Sequence, residues 1–216
     1  LNYNAITRVS GSAGVLATVL ILVELPLYFL YDGPPPDWNI VTRSMAGLAG
    51  NTILVIFLAG LPVLAWHAGP VRAWVGGVAA VAGVMWLTVS AVATALEVGA
   101  AIAAPEDLDP TIAVTGTYVL YGALSKLLMA LFLGAFAFAF AEAGIVPRWI
   151  TTGAAALAVV QLCFVPSMFF GNNPADFYAA NGWGTTATTG GLTILWILLT
   201  ALTILRSRTA STTVPA

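Results

Sequence analysis

Glu24, Glu97 and Lys126 stand inside otherwise apolar runs, and their types make them the first candidates for chemistry. At the centre of a membrane-spanning helix a charge costs about 2.5–3.5 kcal/mol on insertion scales unless a partner or water offsets it. Two carboxyls and one amine suit an ion pair, acid–base chemistry or the polar end of a ligand. Asn51 and Gln161 place neutral hydrogen-bonding groups in two further runs, and Trp86, Tyr118 and Tyr121 offer aromatic walls. Together these eight residues form the expected ligand-binding set. Glu24 and Glu97 are the candidate catalytic residues if the protein is an enzyme.

The elements that position them follow from composition. The 216 residues are 60% hydrophobic and only 7% charged, far from the make-up of a soluble domain. Mean hydropathy is +0.96. A spanning helix needs about 20 apolar residues, and the sequence predicts an all-α bundle of six such helices. They run from Val9 to Tyr31, Met45 to Trp66, Ala73 to about Ala103, Thr111 to about Ala141, Trp149 to Phe170 and Thr188 to Leu205. Residues 1–206 form one transmembrane domain, and 207–216 read as a disordered, Ser/Thr-rich cytoplasmic tail. The first run is too long for a cleaved signal peptide and carries Glu24.

Between the runs, Gly33-Pro34-Pro35-Pro36-Asp37 cannot continue a helix, Pro105 to Pro110 is a short acidic turn, and Gly171 to Gly184 is the longest polar loop. Arg8, Arg72, Arg148, Arg206 and Arg208 fall on one side of the membrane. Arg43 alone falls on the other, with Asp32, Asp37, Glu106, Asp107, Asp109 and Asp176. The positive-inside rule then puts both termini in the cytoplasm of a plasma (inner) membrane protein. Trp38, Trp66, Trp74, Trp149 and Trp183 sit near run ends as an interfacial belt.

Depth sharpens the pattern. Counting 1.5 Å per residue, Glu24 and Glu97 lie roughly 10 Å below the outer ends of their helices. Asn51 is about two turns in, Lys126 is near the middle of its helix, and Gln161 is just past the midpoint. The cytoplasmic half holds almost no such groups. An outer-half pocket is therefore expected, with Lys126 pairing with Glu97 or Glu24, and with Tyr118 and Tyr121 sharing a helix face at i and i+3.

Several classes are excluded. A net charge of −2 with no basic stripe speaks against nucleic acid. One cysteine, Cys163, and one histidine, His67, provide neither a disulfide nor a thiolate metal site nor paired haem ligands. No metal and no cofactor is expected.

Thr7-Arg8-Val9-Ser10-Gly11 before the first helix, Ile145-Val146-Pro147-Arg148-Trp149-Ile150 leading into the fifth, and Trp196 in the last resemble a bacterial integral membrane family, domain of unknown function 4386. The resemblance implies a six-helix bundle and carries no activity with it. Three readings stay open. The protein binds, and by extension transports, a small amphipathic or lipid-like ligand; it is an enzyme that modifies a lipid or isoprenoid through a buried carboxylic acid; or it is a structural subunit whose charges meet a membrane-protein partner or a second copy of itself.

Overall fold

The computed structural model describes residues 3–31, 33–114 and 116–207. Within them the fold is all-helical, with six helices long and apolar enough to cross a membrane: α1 Tyr3–Leu27, α2 Asp37–Ala68, α3 Pro70–Ala103, α4 Thr117–Phe140, α5 Arg148–Phe170 and α6 Gly184–Arg206. A helical turn at Pro110–Ala113 precedes α4. The expected tail lies, but for Ser207, outside the described residues.

Each helix packs on its sequence neighbours, and α6 returns to α1, so the bundle closes into a ring. The sequence explains how closely the members approach. A Cβ on Gly14 of α1 would stand 2.7 Å from Ala201 Cβ on α6 and 2.8 Å from Phe57 Cδ2 on α2. Gly50 meets α1 in the same way, with Ala17 O at 2.9 Å, and Gly83 abuts Leu58. Small residues therefore let helix backbones approach, as van der Waals packing in lipid requires. Gly14→Leu is expected to cost about 1–3 kcal/mol by overpacking, whereas Gly77→Leu, at a position with nothing within 4 Å, is tolerated. Thermal unfolding of the two variants in detergent checks the contrast.

The ends differ in charge. Arg8, Arg72, Arg148 and Arg206 share one end, where Arg72 pairs with Glu142 at 2.9 Å, the one ion pair among the described residues. Asp37, Glu106, Asp107, Asp109 and Asp176 share the other. The five expected belt tryptophans are all exposed at helix ends.

The interior differs along the axis as well. Toward the arginine end, Phe57, Phe132, Phe136 and Trp196 are buried against one another. Trp196 meets Phe136 edge-on at 4.8 Å, and its Nε1 donates to Ile150 O at 3.0 Å, tying α6 to α5. This aromatic plug packs the interior toward that end. Toward the acidic end no such plug exists, and a cavity takes its place.

Several element boundaries depart from the sequence reading: α1 runs from Tyr3 to Leu27 rather than from Val9 to Tyr31, and α6 begins at Gly184 rather than Thr188. α2 begins at Asp37 rather than Met45, because Pro36 is extended (φ −65°, ψ 152°) and hands over directly to an acidic first turn, which suits a helix N-terminus. The fourth run breaks at 114–116, where Gly116 adopts φ 93°. It then carries a widened turn at Leu120–Leu124, with Gly122 at ψ −114°. Ser125 Oγ donates five residues back, to Leu120 O at 2.7 Å.

Candidate functional site

The cavity has a volume of about 430 Å³, inside the ~300–1,000 Å³ range of small-molecule sites. α1, α2, α3, α4 and α6 line it, and the loops of the acidic end border its mouth through Tyr31, Pro35, Asp109, Pro174 and Trp183. Trp86 lies at its floor, stacked on Phe132 of the plug at 6.3 Å.

The two walls are unlike. α1 and α6 contribute mainly Ile21, Leu22, Leu25, Gly190, Gly191 and Ile194, with Tyr28 and Thr186 as polar exceptions. α2, α3 and α4 contribute Arg43, Asn51, Ser90, Thr94, Glu97, Tyr121 and Lys126, with Trp86 and Met129 as apolar exceptions. Glu24 belongs to α1, yet its carboxylate crosses to α2 and occupies the place where a Cβ on Gly47 would stand. Glycine at position 47 is thus what admits the carboxylate. The result is an amphipathic chamber, apolar on one side and hydrogen-bonding on the other.

Near the mouth the charges cluster. Tyr28 Oη donates to Glu24 Oε1 at 3.3 Å, and the Arg43 guanidinium lies 4.0 Å over the Tyr28 ring, a cation–π arrangement. The charge of Arg43 acts on both Glu24 and Glu97. Glu97 lies beside Thr117 and Tyr121, and its Oε1 is buried with no hydrogen-bond partner. Tyr121 Oη donates to Asn181 Oδ1 at 3.0 Å, and Asn181 Nδ2 donates to Thr111 O at 3.3 Å. These two bonds fasten the long loop to α4 and to the short turn before it.

Deeper in, Lys126 lies roughly 14 Å along α4 from Thr117. It is 1% exposed. Among the described residues it has neither an ion pair nor a hydrogen bond. The expected pairing with Glu97 or Glu24 is therefore not made: both carboxylates stay nearer the mouth, on the Arg43 side. Asn51, Ser90 and Thr94, which also line the chamber, likewise bond to no other described residue. Thr18, Thr52, Thr88, Thr193 and Thr200 instead bond carbonyls of their own helices. The free hydroxyls of α3 thus belong to the chamber.

Of the eight residues the sequence singled out, Glu24, Asn51, Trp86, Glu97, Tyr121 and Lys126 line this one cavity. Tyr118 and Gln161 do not. The widened turn starting at Leu120 breaks the i, i+3 alignment of Tyr118 with Tyr121. Gln161 faces α6, donating to Thr189 O at 3.2 Å and Thr193 Oγ1 at 2.8 Å. It is an interhelical tie, a role known to be worth under about 1 kcal/mol on average. Conversely, Arg43 was read as a loop residue but is 4% exposed within α2. The Pro36-Asp37 pair was the signal that would have drawn it inside.

In comparison with known proteins, no family model, no curated protein and no solved structure matches the chain.

Proposed function

We propose that this multi-pass membrane protein binds a small amphipathic or lipid-like molecule in its chamber, with the arginine end in the cytoplasm and the chamber opening toward the exterior half of the bilayer. The orientation rests on the positive-inside rule: four arginines mark one end, and the opposite end is acidic. The ligand class rests on one observation, the division of the chamber into an apolar α1–α6 wall and a polar α2–α3–α4 wall. A water-soluble metabolite has no use for Ile21, Leu22, Leu25 and Ile194. A plain hydrocarbon would leave Lys126, Asn51, Ser90 and Thr94 without partners, and unpaired polar groups in an apolar medium are costly. An amphiphile satisfies both walls at once.

Gly190 supplies a test that spares every polar group. It lines the chamber, and a Cβ there meets nothing within 4 Å. Gly190→Phe therefore fills the chamber without colliding with the helix packing. Mass spectrometry of small molecules retained by gently purified protein is expected to find a defined amphiphile in wild type and its loss in Gly190→Phe. The same generic lipid in both would overturn the proposal.

A further inference from the structure

Resting on that reading, we infer that the deep end of the chamber is an anion subsite built on Lys126, and that its ligand is a single-chain amphiphile with a carboxylate head. The chamber is stratified by charge. Its carboxylates, Glu24 and Glu97, lie near the mouth and share the field of Arg43 and the phenols of Tyr28 and Tyr121. Below them the lining changes sign. Lys126 has no ion-pair partner among the described residues, and Asn51, Ser90 and Thr94, which line the same chamber, retain unused hydrogen-bond donors. A lysine without a counterion, in a chamber that also offers these donors, is the complement of an acid.

The size of the charge selects the head. Lys126 supplies at most one positive charge to the deep end. A carboxylate neutralises it one for one, whereas a phosphate monoester carries about −1.5 to −2 at neutral pH and would leave net charge buried. The two oxygens of a carboxylate accept several hydrogen bonds, matching an ammonium with hydroxyls and an amide beside it. Charge-assisted bonds of this kind are stronger than neutral ones. The tail then lies along Ile21, Leu25, Gly191 and Ile194, away from the charged cluster on the opposite wall. Toward the arginine end α1 and α6 are pressed together, a Cβ on Gly11 meeting Leu205 Cγ at 2.7 Å. Toward the acidic end a Cβ on Gly191 reaches Leu25 no closer than 3.8 Å. α1 and α6 are thus less tightly pressed together toward the acidic end.

The test compares three probes of equal chain length, laurate, dodecanol and dodecylamine, by calorimetric titration of the delipidated full-length protein in nonionic detergent. Wild type is expected to bind laurate at least about tenfold more tightly than dodecanol, a difference of about 1.4 kcal/mol, and dodecylamine least tightly. Lys126→Met is expected to abolish the preference for laurate over dodecanol, and Lys126→Arg to retain it. Dodecanol or dodecylamine binding wild type as tightly as laurate overturns the anion subsite but leaves the amphiphile chamber standing. This outcome does not depend on any variant folding. If none of the three binds wild type, and Gly190→Phe and wild type retain the same molecules, both readings fall together.

Discussion

Lys126→Met is expected to make the ligand-free protein more stable, by about 2 kcal/mol, in thermal or denaturant unfolding in detergent. Most substitutions at fully buried positions destabilise, so the sign is the informative part. Lys126 is 1% exposed and faces no acid among the described residues. A lysine at the centre of a spanning helix costs about 2.5–3.5 kcal/mol on insertion scales, and the chamber returns only part of this through polar neighbours. Methionine has a similar length and no charge, and it adapts to irregular space. The fold therefore holds Lys126 at a cost, as proteins commonly do where a strained group serves function. A saturating carboxylate ligand should reverse the order, because it stabilises only the form that binds it, in proportion to the logarithm of its concentration over Kd. If Lys126→Met instead lowers stability by more than about 1 kcal/mol, the ammonium is a structural strut, and the case for an anion subsite is lost.

The sequence led to this lysine and placed it at nearly the right depth, because depth along a helix follows from residue count alone. Six apolar runs separated by proline and glycine clusters likewise become six helices, since every backbone polar group in lipid must be paired within its own segment. What counting cannot provide is azimuth. In a soluble helix the polar face marks the outside. Here the lipid-facing side is as apolar as the core, with Leu16, Val81, Leu131 and Val159 all exposed, so hydropathy leaves rotation about the helix axis undetermined. Glu24, Glu97 and Lys126 were legible because a charge in lipid has few places to go but inward. Gln161 carries no charge, and its amide nitrogen is held by Thr189 and Thr193 of the next helix.

Backbone irregularities were the other blind spot. A helix that starts eight residues early converts Arg43 from a loop cation into part of the chamber wall. A widened turn at Leu120–Leu124 turns Tyr118 away from Tyr121. Gly122 makes that turn workable: a Cβ there would stand 3.0 Å from Ala180 O, so the loop above the chamber rests directly on α4. In sequence these glycines looked like the many others of an Ala- and Gly-rich chain. Only Gly47, under the Glu24 carboxylate, and Gly122, under the loop, turn out to be set by the site.

Arg43 is expected to behave in the opposite sense to Lys126. Arg43→Met should destabilise the protein by about 3 kcal/mol, the low end of the range for removing one member of a buried charged set. Arg43 is 4% exposed, its guanidinium lies 4.0 Å over the Tyr28 ring, and it is the cation whose charge reaches both Glu24 and Glu97. Without it, two carboxylates would share the mouth with no positive charge beside them. The low end applies because no nitrogen of Arg43 comes within 4.0 Å of a carboxylate oxygen, the one such ion pair among the described residues being Arg72–Glu142. A double-mutant cycle separates charge from packing. Glu24→Gln alone removes a carboxylate that still has Tyr28 and Arg43 beside it, and Arg43→Met/Glu24→Gln removes both partners. If the cluster is held by charge, the double variant recovers at least about 1 kcal/mol over Arg43→Met, and the coupling shrinks little with added salt, since buried charges are poorly screened. Strict additivity would instead assign the whole loss to the Arg43 stem packing on Tyr28. Taken together, the two cations give opposite answers to one substitution. If both outcomes hold, Arg43 is stabilised by acids already in the fold, and Lys126 is left for an acid that must come from outside it.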